Sequence, residues 1–306
     1  MGAREPTYED IARAVGALKA KRNAIIVAHN YQPPEIYDLA DFLGDSLELA
    51  RKSAVVDEAV IVFCGVHFMA ESAKILSPQK TVLLPEPEAG CTLADYAEPE
   101  AVVAMKAQHP AAAVVSYVNS SAAVKAESDI CCTSANAVKV VNSLPQREVI
   151  FLPDGNLARY VQTQTQKTII PWEGTCCVHD YVTRALMEAT KAEYPNAKVM
   201  VHPECRLEVI GLGDYTCSTG QMLTVSREEP YDEWIVVTDP GMCERLRREV
   251  PGKTFHAVPT MTPCYTMNIT TPAKVRDALF SLEPKIEVPE PVRVKAERAL
   301  RRMIEL

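Results

Sequence analysis

No Cys-x-x-Cys pair occurs anywhere in the chain, although it holds 10 cysteines in 306 residues. That absence weighs against zinc ribbons, thioredoxin-like redox pairs and the compact ferredoxin motif, which all need two thiols on one tight turn. No stretch approaches the ~20 apolar residues that cross a bilayer, and residues 1–10 carry no apolar signal core. An excess of positive charge is missing too: 32 Lys and Arg stand against 40 Asp and Glu, a net charge of -8. Neither nucleic acid nor an anionic membrane is therefore expected as a partner. The short basic runs Arg245-Leu246-Arg247-Arg248 and Arg298-Ala299-Leu300-Arg301-Arg302 read as solvated helix faces. With no low-complexity tract and 47% hydrophobic residues, the expectation is a cytoplasmic globular protein long enough for two or three domains.

What the chain does have is a repeat of 85 to 88 residues. Ala24-Ile25-Ile26-Val27-Ala28-His29 matches Ala112-Ala113-Val114-Val115-Ser116-Tyr117 and Ala197-Lys198-Val199-Met200-Val201-His202, each run following a helix-like stretch and a turn. Further along, Asp129-Ile130-Cys131-Cys132-Thr133-Ser134 matches Asp214-Tyr215-Thr216-Cys217-Ser218-Thr219, and Ser46 holds the equivalent place in the first copy. The apolar runs at Ile61-Val62-Phe63, Ile150-Phe151-Leu152 and Ile235-Val236-Val237 suit buried parallel strands. A lysine-threonine pair then opens the last strand-like run of each copy, at Lys80-Thr81, Lys167-Thr168 and Lys253-Thr254.

Strands alternating with helices imply parallel sheets and right-handed crossovers. The predicted fold is α/β: three repeated α/β domains with small parallel sheets around a pseudo-threefold axis. Their expected spans are 1–97, 98–182 and 183–306, the last carrying a proline-rich extended linker at 283–291 and a terminal helix at 292–306.

Each copy closes on a cysteine: Cys91, Cys176 and Cys264. Without a secretory signal the thiols are expected to stay reduced, free to bind metal or do chemistry. Cys64, Cys131, Cys132, Cys205, Cys217 and Cys243 lie in or beside apolar runs and read as small packing residues. Ligands of an open α/β sheet bind outside the carboxyl ends of its strands. His29, Tyr31, Tyr117, Asn119, His202 and Glu204 follow the first strand of each copy, so they are expected to face the same space as the three cysteines. Three thiolates around an iron-sulfur cube leave one iron free to polarise a substrate oxygen. A tetrahedral zinc would instead want a fourth ligand, which His179 could supply.

These residues resemble the quinolinate synthase family over nearly the whole chain. The likeness rests on His29-Asn30-Tyr31-Gln32, Gly44-Asp45-Ser46-Leu47, Tyr117-Val118-Asn119, Lys125 through Ser134, Leu152-Pro153-Asp154 with Asn156-Leu157, Trp172-x-Gly174-x-Cys176-x-x-His179, His202-Pro203-Glu204 and Ser218-Thr219-Gly220-Gln221. The resemblance implies an oxygen-sensitive enzyme of NAD biosynthesis. It would condense iminoaspartate (iminosuccinate) with dihydroxyacetone phosphate to give quinolinate, phosphate and water. It also implies a 4Fe-4S cluster on Cys91, Cys176 and Cys264, with His29, Ser46, Tyr117, Asn119, Ser134, His202, Glu204 and Thr219 at substrate-binding positions. A functional link to an aspartate oxidase or dehydrogenase, as the source of iminoaspartate, goes with it. The chain departs from longer members in carrying only Thr262-Pro263-Cys264-Tyr265 where they have a Cys-x-x-Cys-x-x-Cys segment.

Both substrates so implied are anions, and the chain is acidic. Binding is therefore expected to rely on hydroxyls, imidazoles and helix N-termini, with Ser46, Ser134, Ser218, Thr219 and His179 as donors. Building an aromatic ring moves several protons; Tyr31, His202 and Glu204 are the expected acid-base residues. An iron-sulfur sensor, a zinc hydrolase and an aldolase-like lyase are the competing classes. Cys177 adjoins Cys176, and the tryptophan-glycine-cysteine-histidine spacing favours Cys176. Accordingly, Cys176→Ala is expected to abolish visible cluster absorbance after anaerobic reconstitution while Cys177→Ala retains it; the reverse result overturns the assignment.

Overall fold

Strands covered on both faces must be apolar along their whole length. β1 (Ala24–His29) and β3 (Val60–Cys64) are buried at every position, as is β5 (Ala113–Tyr117). A computed structural model describes residues 6–306 and shows where these runs go. Residues 1–5, which open the expected first unit and the stretch read as lacking a signal core, lie outside the described residues.

The first unit orders its strands β2 (Phe42–Gly44), β1, β3, β4 (Thr81–Leu83). The second runs β6 (Ile130–Cys132), β5, β7 (Glu148–Leu152), β8 (Thr168–Pro171), and the third β10 (Tyr215–Thr216), β9 (Lys198–Val201), β11 (Glu233–Val237), β12 (Thr254–Ala257). All three four-stranded sheets are parallel and share one order, as the repeat predicts. In that order the chain leaves the opening strand to one side and returns on the other, so the direction of winding reverses there. The crevice at such a switch point is where open α/β sheets bind ligands. β1 and β5 end on His29 and Tyr117, and His202 follows β9 directly.

Two repeated devices hold each sheet. Asp41, Asp129 and Asp214 accept from the backbone N–H of Ile26, Val114 and Val199 at 2.9, 2.8 and 2.9 Å, clasping each opening strand. The lysines of the lysine-threonine pairs fold back: Lys80, Lys167 and Lys253 donate to the carbonyls of Glu58, Gln146 and Glu229 at 2.6, 2.7 and 2.6 Å. Each ammonium thereby supplies a donor to a carbonyl in the short segment between a helix and the next strand.

After the third sheet the chain returns to the first unit. Helix Pro272–Ser281 packs against helix Tyr8–Arg22, sharing an apolar cluster with Ile26 and Val62. The proline-rich segment pairs with the free edge of β4: Leu84 N–H donates to Pro284 O at 3.2 Å and Ile286 N–H to Val82 O at 2.9 Å. The last helix starts two residues before the expected position, at Glu290–Ile304, because Pro291 falls in the first turn, where its missing N–H costs nothing. That helix lies across helices His67–Leu76 and Ala122–Ala126 and strand β6, burying Ala296, Ala299, Leu300 and Met303 between the first two units. Replacing Leu300, which is fully buried, by alanine is expected to lower the unfolding free energy by about 2–5 kcal/mol. Urea unfolding checks it; a loss below about 0.5 kcal/mol would mean that the helix does not brace the two units.

Candidate active site

The three switch points open on one cavity. The first unit contributes His29 and Tyr31, the second Tyr117 and Asn119, the third His202 and Glu204. The hydroxyl-bearing residues Ser46, Ser134 and Thr219 line it as well, together with Cys91, Cys176, Cys264 and His179. Val66, Phe68, Met69, Val178 and Met267 supply apolar wall, and the lining described contains neither lysine nor arginine. Of the residues expected at the site only Ser218 does not line the cavity. It caps helix Thr219–Glu228, accepting from Gln221 N–H, and donates to Asp45 Oδ2 at 3.1 Å, tying the third unit to the first.

The caps show why these hydroxyls are not spent on their own helices, although Thr219 Oγ1 accepts from Asn30 Nδ2 at 3.0 Å. Asp45 and Glu48 form the capping box of helix Ser46–Val55, and Ser218 and Gln221 that of helix Thr219–Glu228. In the second unit Thr133 Oγ1 accepts from Ala135 N–H at 3.2 Å. In each unit a side chain one position earlier receives the bond, so Ser46, Ser134 and Thr219 are released from it.

The cysteine loops are shaped by close backbone approach. A Cβ at Gly174 would stand 2.3 Å from Pro153 O, so only glycine allows the Cys176 loop to lie against the end of β7. Trp172 Nε1 donates to Tyr96 O at 2.8 Å, anchoring the same loop to the segment after Cys91. Cys264 N–H donates to Asp239 Oδ2 at 2.6 Å. Cys177 is exposed and outside the cavity lining, while Cys64, Cys131, Cys132, Cys205, Cys217 and Cys243 are buried, as expected of packing residues. Burial pushes the Cys91 thiol up to about 12 and raises those of Cys176 and Cys264 as well, so a metal would have to draw off their protons.

A directed chain of hydrogen bonds crosses the cavity wall. Glu204 Oε2 lies 2.7 Å from His179 Nδ1, and a carboxylate can only accept, so Nδ1 carries the proton. In the neutral imidazole with that proton, His179 Nε2 accepts from Thr238 Oγ1 at 2.8 Å, and Thr238 in turn accepts from the Tyr31 hydroxyl. Tyr117 donates its hydroxyl to Glu204 Oε1. His179 Nδ1 is also 3.1 Å from Cys176 Sγ, and Cys176, His179 and Glu204 form the one compact donor set, within 4.8 Å, among the described residues. His29 and His202 each accept at Nδ1 from the backbone N–H two residues on, at 3.2 and 3.4 Å. That leaves the His202 Nε2–H to donate to Ser134 Oγ at 3.2 Å.

Thr238, Asp154 and Asp239 were not singled out for the site by sequence reasoning: Thr238 passes for the end of an apolar run. The available signal was position, since each lies within two residues of the carboxyl end of β7 or β11.

Burial lowers the His29 pKa to about 4, and burial together with the neighbouring His179 lowers that of His202 to about 3. Both imidazoles are neutral near pH 7. Burial alone would raise Glu204, but His179, His202 and the hydrogen bonds from His179 and Tyr117 outweigh it and hold the carboxyl at about 2. Burial also keeps the phenols of Tyr31 and Tyr117 protonated.

Fold and site define a three-unit α/β protein with a thiol- and imidazole-lined cavity at the junction of its units. The chain belongs to the family described as Quinolinate synthetase A protein, whose model matches residues 13–305. It is 50% identical over 289 residues to the quinolinate synthase of Methanoregula boonei, covering 94% of this chain and 96% of that one. It is 52% identical over 296 residues to that of Dehalococcoides mccartyi strain CBDB1 (97% and 98% covered), and 49% identical over 296 residues to that of Geobacter metallireducens (97% and 97%). Among the described residues no helix is long and apolar enough to cross a membrane.

The depressed imidazoles fix a sign for pH dependence. From pH 6.5 down to about 3–4 the unfolded chain binds protons that folded His29 and His202 refuse, so stability falls on acidification. Glu204 adds the same sign between its ordinary 4.5 and about 2. The urea midpoint of metal-free protein is expected to fall steadily from pH 7 to pH 4, and His202→Asn to make that fall shallower. An unaltered slope in the variant would contradict the burial of a neutral imidazole.

Proposed function

We propose that this chain condenses iminoaspartate with dihydroxyacetone phosphate, releasing quinolinate, phosphate and water, on a 4Fe-4S cluster held by Cys91, Cys176 and Cys264. Family membership supports the reaction. The observation that carries the reading is the convergence, in one cavity, of those three thiols with the Tyr31-Thr238-His179-Glu204 chain. When bound, such a cluster supplies an open iron as a Lewis acid.

The rest is work for this chain's side chains. With no cationic side chain in the lining, the substrate anions fall to the hydroxyls of Ser46, Ser134 and Thr219 and to the N-termini of helices Ser46–Val55 and Thr219–Glu228. The His202 Nε2–H holds Ser134 in place, and His29 adds a neutral imidazole to the wall. Asn119 Oδ1 is buried without a protein partner and is available to a ligand N–H. Tyr31 serves as the proton acceptor in the isomerisation. As its oxygen takes a substrate proton, its own passes to Thr238, that of Thr238 to His179 Nε2, and the Nδ1 proton to Glu204, so no free tyrosinate forms. Glu204, now neutral, is the acid that protonates a departing hydroxyl. Supply of iminoaspartate by an aspartate oxidase or dehydrogenase in the cytoplasm belongs to the same reading.

A second reading is favoured by one observation: Cys176, His179 and Glu204 offer the sulfur, nitrogen and oxygen of a three-ligand zinc site. Iron and sulfide against zinc in anaerobically purified protein separates the two. In the assay that tests the main reading, quinolinate is read directly from iminoaspartate made in place and dihydroxyacetone phosphate. Glu204→Gln is expected to lower turnover by roughly 10²–10³-fold with iron content unchanged. Near-normal turnover at full iron content would remove Glu204 from the proton path.

A further inference from the structure

Two buried carboxylates have no task in the chemistry above. Asp154 and Asp239 are both 0% exposed, and each stands two residues past the end of the third strand of its unit, β7 or β11. Asp239 accepts from the backbone at both oxygens, from Gly241 N–H at 2.8 Å on Oδ1 and from Cys264 N–H at 2.6 Å on Oδ2. Asp154 Oδ1 accepts from Leu157 N–H at 2.6 Å, but its Oδ2 is buried without a partner. The Cys176 loop runs alongside: Gly155 N–H donates to Gly174 O at 2.8 Å, and Asp154 bridges to Gly174. Burial and the charge of Glu204 raise the Asp154 pKa, and the amides of Leu157, Asn156 and Cys176 act against that rise. In the first unit Val66 takes the equivalent place, and backbone alone closes the Cys91 loop, His67 N–H to Ala89 O at 2.7 Å.

We propose that Asp239 and Asp154 are positioning residues for the cysteine loops of their own units, Asp239 through its bond to the Cys264 amide and Asp154 through an Oδ2 reserved for the Cys176 amide. The proposal rests on the reading of Cys91, Cys176 and Cys264 as cluster ligands. A carboxylate withdrawn from water is costly unless its oxygens are satisfied, so its presence at two equivalent positions asks for a reason that a neutral residue could not meet. Asparagine caps a helix as well as aspartate does. It cannot accept at both side-chain atoms, because one of them is an NH2 group that would confront a backbone N–H. Fixing the amide of a cysteine also fixes its Cα, and the sulfur is only two bonds further on. Loops held in this way have less freedom to lose when three thiolates close on one group, and partners behind metal ligands act in this manner. The bond of Asp239 is already made and that of Asp154 is not, so the two should differ in degree.

The test uses the full chain, reconstituted anaerobically with iron and sulfide, as the unaltered protein, Asp239→Asn and Asp154→Asn. Iron and sulfide per chain are measured, then the rate at which iron passes to an excess of chelator, and separately the melting of each metal-free protein. We expect the unaltered protein to form the cluster and Asp239→Asn to release iron roughly tenfold faster or more, with Asp154→Asn between them and the metal-free melting temperatures lowered too little to account for the difference. Equal release rates overturn the proposal, as does a metal-free melting loss that accounts for the faster release. If Asp239→Asn does not fold, Asp154→Asn decides by the same two measurements. An unaltered protein that takes up no iron and sulfide sinks the cluster reading itself, and the positioning role with it.

Discussion

A carboxylate only 3% exposed cannot remain ionised without donors, and Glu204 draws them from separate segments of the chain. Tyr117 reaches it from the second unit and His179 from the loop behind Cys176. His179 in turn is tied through Thr238 to Tyr31 of the first unit. The charge on one side chain therefore ties the third unit to the second directly, and through Thr238 the chain of hydrogen bonds reaches the first.

The three units keep the same scaffold and differ where chemistry is required. The aspartate that clasps each opening strand and the lysine that folds back on the preceding carbonyl recur in all three. The residues at the switch points are not kept in all three. One place holds His29, Tyr117 and His202; the place two residues on holds Tyr31, Asn119 and Glu204. Scaffold residues answer to a geometry shared by all parallel sheets of this order, and so they repeat. Residues around a ligand answer to a substrate without threefold symmetry, so a base, a phenol and an amide occupy equivalent corners.

The cavity offers dipoles rather than positive charge. Two imidazoles made neutral by burial, two protonated phenols, three hydroxyls and two long-helix N-termini supply dipoles in a site whose described lining has no cationic side chain. Dipoles fixed by the fold need no reorganisation when an anion enters, and water exclusion strengthens them.

Much of this was legible before any coordinates. A period of 85 to 88 residues, apolar runs of strand length and helical stretches between them determine three parallel α/β units, because burial on both faces leaves such strands no other pairing. The same spacing marks Cys91, Cys176 and Cys264, and the polar residues after the first strands, as members of one set. Tertiary structure alone decided which way the neighbours of those residues turn. Ser218 looks equal to Thr219 in sequence but spends its hydroxyl on a helix cap and Asp45, and Thr238 looks like the end of a strand but joins His179 to Tyr31. Asp154 and Asp239 become visible only when a loop some twenty residues later folds back onto them. Periodicity records which face of the chain is buried, a property of each segment by itself. A hydrogen bond between distant segments depends on angles and distances set by the packing of the whole.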